Sequence, residues 1–363
     1  MFLSKYYYYY NNHVDLSYYI FENVYYQTNE NKWLYYSDSN EKLNIPDIYF
    51  SPVEKKETLN FITINQSKEI THIINEPTIV TTTIAGNYSH AIIDHIFPIF
   101  CIIKDINLNQ KYNLFIDKHK IRKFACAKNI IDFKKREYNN FVKYLLAPFV
   151  NETIFQIGLG HNKIFHFKKL IIGGTTNFSR SIWHNTNFLN RSIREYVLND
   201  QYFSINFNIF KNCYLDYFKI IPKKSKYITL CNRKKVRGFT QKSAQNLLSE
   251  ILKKNYDVPV YNEVLYFENI NLEKSIEIMN ETKIFITPHG ANIANILWMN
   301  KNSIIIEIFP EEDKRTIYYN SIADVLDLKY IKFIDNHLNK CDVIWDVSTK
   351  VCNILDNLDT KSM

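Results

Sequence analysis

From residue 227 to residue 334 the chain repeats one pattern: a short, largely apolar run, then a longer stretch with its apolar residues on one helical face. The apolar runs are 227–231, 258–260, 284–287, 304–309 and 330–334. Between them, Ala244, Leu247, Leu248, Ile251 and Leu252 fall on one side of a helix. Leu272, Ile276 and Met279 do the same, as do Tyr318, Ile322, Val325 and Leu326. Strands that are apolar on both faces have little to give to water, so the sheet is parallel and covered on both sides by the helices. The pattern predicts a Rossmann-like domain whose ligand lies beyond the carboxyl ends of the strands.

Upstream the alternation is less regular but still mixed α/β. Strands are expected at 61–65, 78–84, 113–116, 153–157 and 164–172, and helices at 89–106, 138–146 and 188–198. Pro98 is expected to kink or stop the first helix. Residues 205–225 read as a helical connector closing at Pro222-Lys-Lys-Ser. Residues 1–60 are rich in Tyr and Asn, with short strands at 16–21 and 32–36. The run Tyr6–Tyr10 reads as strand surface or compositional bias in preference to a sugar-stacking platform. The expected organisation is an extension over 1–60, an α/β domain over 61–222 and the Rossmann-like domain over 223–363.

Composition excludes several classes. Hydrophobic residues make up 46% and charged residues 23%, which indicates a globular chain. Lys and Arg number 45 against 37 Asp and Glu, a formal charge of +8. Over 363 residues that suits an anionic small ligand such as a nucleotide diphosphate and does not demand a nucleic acid. The 27 Tyr and 25 Phe share A/T-rich codons with the abundant Asn, Ile and Lys, so a base-biased genome accounts for them. Six cysteines, at 101, 126, 213, 231, 341 and 352, form no CxxC and no zinc spacing with His, so no structural metal is expected. The opening residues lack the apolar core of a signal peptide, and no window reaches the ~18 apolar residues of a membrane span. The expectation is a cytoplasmic protein in a reducing compartment.

Three stretches carry chemistry. The first runs Ile284-Phe-Ile-Thr-Pro-His-Gly-Ala-Asn-Ile-Ala-Asn-Ile-Leu-Trp-Met299 and continues into Ser303-Ile-Ile-Ile-Glu-Ile-Phe-Pro310. A buried strand enters a tight turn and then a helix. Gly290 and Ala291 leave room for close backbone approach, and the first free N–H groups of the helix suit a pyrophosphate. Asn292 or His289 adds a hydrogen bond, and Glu307 is placed to accept from ribose hydroxyls. The plainer alternative is that His289 caps the turn and Glu307 pairs with a lysine.

The second is Gly86-Asn-Tyr-Ser-His90-Ala-Ile-Ile-Asp94. Ser89 or Asn87 can cap the helix that follows. His90 and Asp94 lie one turn apart, so imidazole and carboxylate share a face and can orient an acceptor hydroxyl and take its proton. An ordinary capped helix start is the alternative. The third is Cys231-Asn-Arg233-Lys-Lys-Val-Arg237-Gly at the end of the first strand of the C-terminal domain. Arg233 and Arg237 can grip phosphate oxygens as bidentate forks, or form a solvated basic loop.

Together the three stretches resemble the family-61 glycosyltransferases. The matching residues are Gly86-Asn87-Tyr88 with His90 and Asp94, then Arg233 and Arg237, then His289-Gly290-Ala291 with Asn295, then Glu307 and Pro310. Thr240-Gln241 stands where members usually carry Asn-Glu. The resemblance implies an α/β fold of GT-B type, two Rossmann-like domains facing a cleft. It also implies inverting transfer from a UDP-sugar to a hydroxyl of a glycan or glycoprotein, with no cofactor and no obligatory metal. Carried across, Arg233, Arg237, His289, Gly290, Ala291, Asn292, Asn295 and Glu307 hold the donor, and His90 and Asp94 face the acceptor in the cleft. A rival of another class is a catalytically inactive nucleotide-sugar- or glycan-binding protein on the same scaffold. Nucleic-acid binding is disfavoured by the dispersed charge, and a nicotinamide enzyme by the lack of GxGxxG after a strand.

Overall fold

The computed structural model describes residues 3–11, 16–30, 32–37, 61–64, 69–81, 88–116, 145–155, 162–173, 201–233, 238–309, 317–334 and 345–358. The chain divides into two units, 1–197 and 198–363. Among the described residues no helix is long and apolar enough to cross a membrane.

The first unit is built on a nine-stranded sheet. Its strands are β1 Lys5–Asn11, β2 Leu16–Gln27, β3 Lys32–Tyr36, β4 Phe61–Ile64, β5 His72–Ile74, β6 Thr78–Thr81, β7 Tyr112–Ile116, β8 Val150–Phe155 and β9 Ile164–Gly173. The order β4-β3-β2-β9-β6-β7-β8 is parallel from β9 through β6 and β7 to β8. It is antiparallel where β2 meets β1, β3 and β9. The residues expected to form an extension therefore supply three strands, and β2 pairs with β9 along most of its length. This mixed sheet departs from the Rossmann-like form expected here. The tyrosine run forms β1, with Tyr7, Tyr8 and Tyr9 exposed and Tyr6 stacked on Phe21. On one sheet face Phe21, Tyr26, Trp33, Phe115 and Phe167 pack as an aromatic core.

The helix expected at 89–106 is one helical run that changes pitch. Residues His90–Ile96 are π-helical, closed by the Phe97 N–H donating to Ile92 O, and α1 follows over Phe97–Asn107. Pro98 sits at the start of α1, where it has no N–H to give to a preceding carbonyl. The ladder changes from i→i−5 to i→i−4 at that point instead of breaking. Ser89 is already helical and makes no capping bond.

The second unit begins with α2 Gln201–Phe218, so the expected connector belongs to the C-terminal unit and the division falls before it. Strands β10 Tyr227–Leu230, β11 Thr282–Pro288, β12 Ile304–Phe309 and β13 Lys329–Ile334 form a parallel sheet in that order. The expected strand at 258–260 makes only one isolated parallel bridge to β10, Ile228 with Val260, and a second, Cys231 with Leu265, follows beyond it. Pro259 has no N–H for a ladder, which restricts this segment to an edge. Counting it second in chain order, the spatial order is 2-1-3-4-5, and the connection reverses direction between β10 and β11.

Side chains alternate across the sheet. Ile228, Leu230, Ile284, Ile286, Ile304, Ile306 and Ile308 pack with Leu247 and Ile251 of α3 Gln241–Lys253 and with Val351 and Leu355 of α6 Trp345–Asp356. Period-two alternation sends Thr287, Glu307 and Phe309 to the opposite face. That side carries α2, α4 Leu272–Glu281 and α5 Ile317–Val325. Trp298 is fully buried against Phe210 and Tyr214 of α2. Thr240 caps α3 by accepting from the Ser243 N–H, and Asn271 caps α4 by accepting from the Lys274 N–H. A helix start is thus what Thr240 serves at the point where the sequence leaves the family pattern.

Candidate functional site

In an open parallel sheet the ligand crevice lies at the carboxyl ends of the two strands between which the order reverses. Here those strands are β10 and β11, followed by Cys231-Asn232-Arg233 and His289-Gly290-Ala291. The predicted arginine loop and the predicted His-Gly-Ala turn meet there. Arg233 Nη1 donates to the His289 carbonyl at 3.0 Å.

Two glycines make this approach possible. Gly290 has φ +151°, and a Cβ on it would lie 2.1 Å from Arg233 Nη1. The left-handed backbone and the lack of space both require glycine. A Cβ on Gly238 would lie 2.4 Å from the Arg233 carbonyl oxygen. Asn232, buried, bonds to Phe239 and Tyr266. Its Oδ1 accepts from the Phe239 N–H at 2.8 Å, and its Nδ2 donates to Phe239 O at 3.0 Å and to Tyr266 Oη at 3.2 Å.

After Gly290 the helix expected through Met299 forms over Ala291–Trp298, and it is a 3₁₀ helix. The sequence explains the tighter pitch, for it reads Ala-Asn-Ile, Ala-Asn-Ile, Leu-Trp-Met, a period of three. In a 3₁₀ helix side chains three apart eclipse. Asn295 Nδ2 accordingly donates to Asn292 O at 2.8 Å, and Asn292 Nδ2 donates to Asn232 O at 3.4 Å. Both asparagines are buried and tie the helix to the end of β10. Ala291, half-buried, stands at the open end.

His289 and Glu307 are joined from facing strand ends. Thr287 of β11 lies beside Glu307 of β12 in the sheet register. His289 Nδ1 is 2.5 Å from Glu307 Oε1, and Tyr330 Oη donates to Glu307 Oε2 at 2.5 Å. The Glu307 side chain is 0% exposed and that of His289 is 16% exposed. The carboxylate expected to accept from ribose hydroxyls thus has both oxygens engaged inside the chain and lies behind the imidazole. The imidazole stacks on Phe309, centroids 4.4 Å apart, and meets the Tyr319 ring edge-on at 6.0 Å. Burial pushes the Glu307 carboxyl up, opposed by the His289 bond and charge, the Tyr330 bond and the Lys332 charge. Burial and then the Glu307 charge push the Tyr330 phenol up, so it remains a donor. Burial holds the Cys231 thiol up at about 12, which removes it as a nucleophile.

Of the predicted site residues, Arg233, His289, Gly290, Ala291, Asn292, Asn295 and Glu307 come together at this one strand edge. Arg237, Gly86, Asn87 and Pro310 lie outside the described residues. His90 and Asp94 belong to the π-helical backbone, and their side chains lie outside the described ones. Sequence reasoning passed over Asn232, Gly238 and Tyr330. Tyr330 carried a signal, a hydroxyl beside Ile331 near the start of a strand. Its partner two positions along the next strand was not visible without the register, which sets Glu307 opposite Lys332.

The family described as Glycosyltransferase 61 matches residues 88–306, more than half of the sequence. The chain belongs to glycosyltransferase family 61. The resemblance carried by the three sequence stretches is borne out. In this family-61 chain the match opens in the helical run holding His90 and Asp94 and stops one residue short of Glu307. No curated protein matches it. Among solved structures, the α/β-galactoside α-2,3-sialyltransferase of the luminous marine bacterium Photobacterium phosphoreum is similar at 10% identity and a TM-score of 0.25. The likeness covers 70% of this chain and 79% of that one. At that score it carries no argument about the family-61 site.

Proposed function

We propose that this family-61 glycosyltransferase is an inverting enzyme that moves sugar from a UDP-sugar to a hydroxyl of a glycan or glycoprotein. The observation that supports the donor site is the convergence of Arg233 and the His289-Gly290-Ala291 turn at the reversal point of a parallel sheet. A guanidinium, a glycine that keeps the backbone bare, and the start of a helix are the parts a diphosphate needs. Arg233, with Arg237 from the same loop, offsets the charge that grows on the departing diphosphate, so that no metal is required. Asn292 and Asn295 serve the donor by fixing the helix end, and Glu307 serves it through His289. His90 and Asp94 supply the base for the acceptor hydroxyl. The same reading carries the two-domain GT-B arrangement of the family.

The experiment is product detection by mass spectrometry. Full-length protein is incubated with UDP-, GDP- and CMP-sugars and a panel of glycan and glycopeptide acceptors, with and without EDTA. Transfer from a UDP-sugar that survives EDTA and yields the inverted anomer supports the reading. Donor binding without transfer or hydrolysis over the whole panel supports an inactive binding protein instead.

A further inference from the structure

His289, Glu307 and Tyr330 form a hydrogen-bonded row, and its last atom, His289 Nε2, has no partner among the described residues. What that atom offers a ligand depends on whether Glu307 is ionised. If Glu307 is a neutral acid, it gives its proton toward Nδ1 and the ring carries its N–H on Nε2. If Glu307 is a carboxylate, it accepts from Nδ1–H and leaves a lone pair on Nε2. The first arrangement holds one proton more than the second, so the two differ by one unit of charge.

Burial favours the neutral acid. The Tyr330 O–H on Oε2 and the Lys332 charge favour the carboxylate, since both interact more strongly with the ionised form. Two other polar residues among the described ones lie beside the ring. Tyr319 presents its ring, and the Arg233 guanidinium is bound to the His289 backbone carbonyl.

We propose that Tyr330 is a positioning residue that, through Glu307, holds the His289 proton on Nδ1, so that Nε2 meets the donor as a hydrogen-bond acceptor. His289 then takes a hydroxyl or N–H of the nucleotide sugar. A lone pair repels phosphate oxygens, so the diphosphate is left to Arg233 and the start of the 291–298 helix. The inference rests on the donor-site reading for its ligand and on the row itself for its proton.

Full-length protein labelled with nitrogen-15 histidine, without ligand, is recorded in long-range proton–nitrogen spectra at mildly alkaline pH. The His289 signals are assigned by their loss in His289→Gln. The expected wild-type pattern is a protonated Nδ1 and a bare Nε2, moving toward protonated Nε2 in Tyr330→Phe. The same variant is expected to bind a UDP-sugar about tenfold more weakly while binding inorganic pyrophosphate as before. Protonated Nε2 in the wild type, an unchanged tautomer in Tyr330→Phe, or equal losses for both probes overturns the proposal. Should Tyr330→Phe not fold, the wild-type spectrum decides by itself. A wild type with the expected tautomer that binds no nucleotide sugar defeats the donor-site reading and leaves the proton assignment standing.

Discussion

Arg233 occupies the space that any side chain at position 290 would need: a Cβ on Gly290 would fall 2.6 Å from the guanidinium carbon. Residues 56 positions apart in sequence, Arg233 and His289, are joined by a hydrogen bond only because the residue after His289 has no side chain.

Gly290→Ala is therefore expected to do two things at once. Forcing alanine to φ +151° costs about 1–3 kcal/mol of stability, and the methyl displaces the Arg233 guanidinium. Chemical denaturation reads the first effect. Titration with a UDP-sugar reads the second, expected as a loss of at least about tenfold. A variant that binds as the wild type does would show that the Arg233 position is immaterial to the ligand.

Asn232 holds Phe239 by both ends of its amide. Asn232→Ala leaves the Phe239 N–H and carbonyl without this partner and is expected to destabilise by about 2 kcal/mol. Urea unfolding measures it. A loss below about 0.5 kcal/mol would mean that water replaces the amide at Phe239.

Lys211 provides a pH test of the second unit. Its ammonium donates to Met299 O at 2.9 Å and Asn300 Oδ1 at 2.8 Å, capping the end of the 3₁₀ helix. Burial lowers its pKa to about 8, against about 10.4 in an unfolded chain. Between those values the unfolded chain holds the proton more firmly, so stability rises with pH. Wild type compared with Lys211→Met is expected to gain up to about 3 kcal/mol between roughly pH 7 and pH 10. Parallel stability curves for the two proteins would contradict the burial of a charged amine there.

The sheet of the second unit was legible because its strands are apolar on both faces with few polar interruptions, a pattern that a parallel, doubly covered sheet produces and few others do. The first unit was read less well. Its Tyr- and Asn-rich opening carries no polar alternation to separate an appended segment from a sheet strand, and β2 finds β9 more than a hundred residues later. At the site, His289, Gly290 and Arg233 announced themselves through turn chemistry and charge. The roles of Glu307 and the asparagines did not. A carboxylate near a strand end looks the same in sequence whether it faces a ribose or a buried imidazole. The triplet spelling of 291–299 was visible, and it distinguishes a 3₁₀ from an α-helix only once the eclipsed Asn292 and Asn295 are seen to bond.

The central claim is that Arg233 and the His289-Gly290-Ala291 turn hold a nucleotide diphosphate. Isothermal titration of full-length wild type and Arg233→Ala with UDP, in EDTA, tests it most directly. The account predicts saturable binding to the wild type and a loss of at least about tenfold in the variant. Equal affinity in the two proteins, or no binding to the wild type with any nucleoside diphosphate, would contradict it.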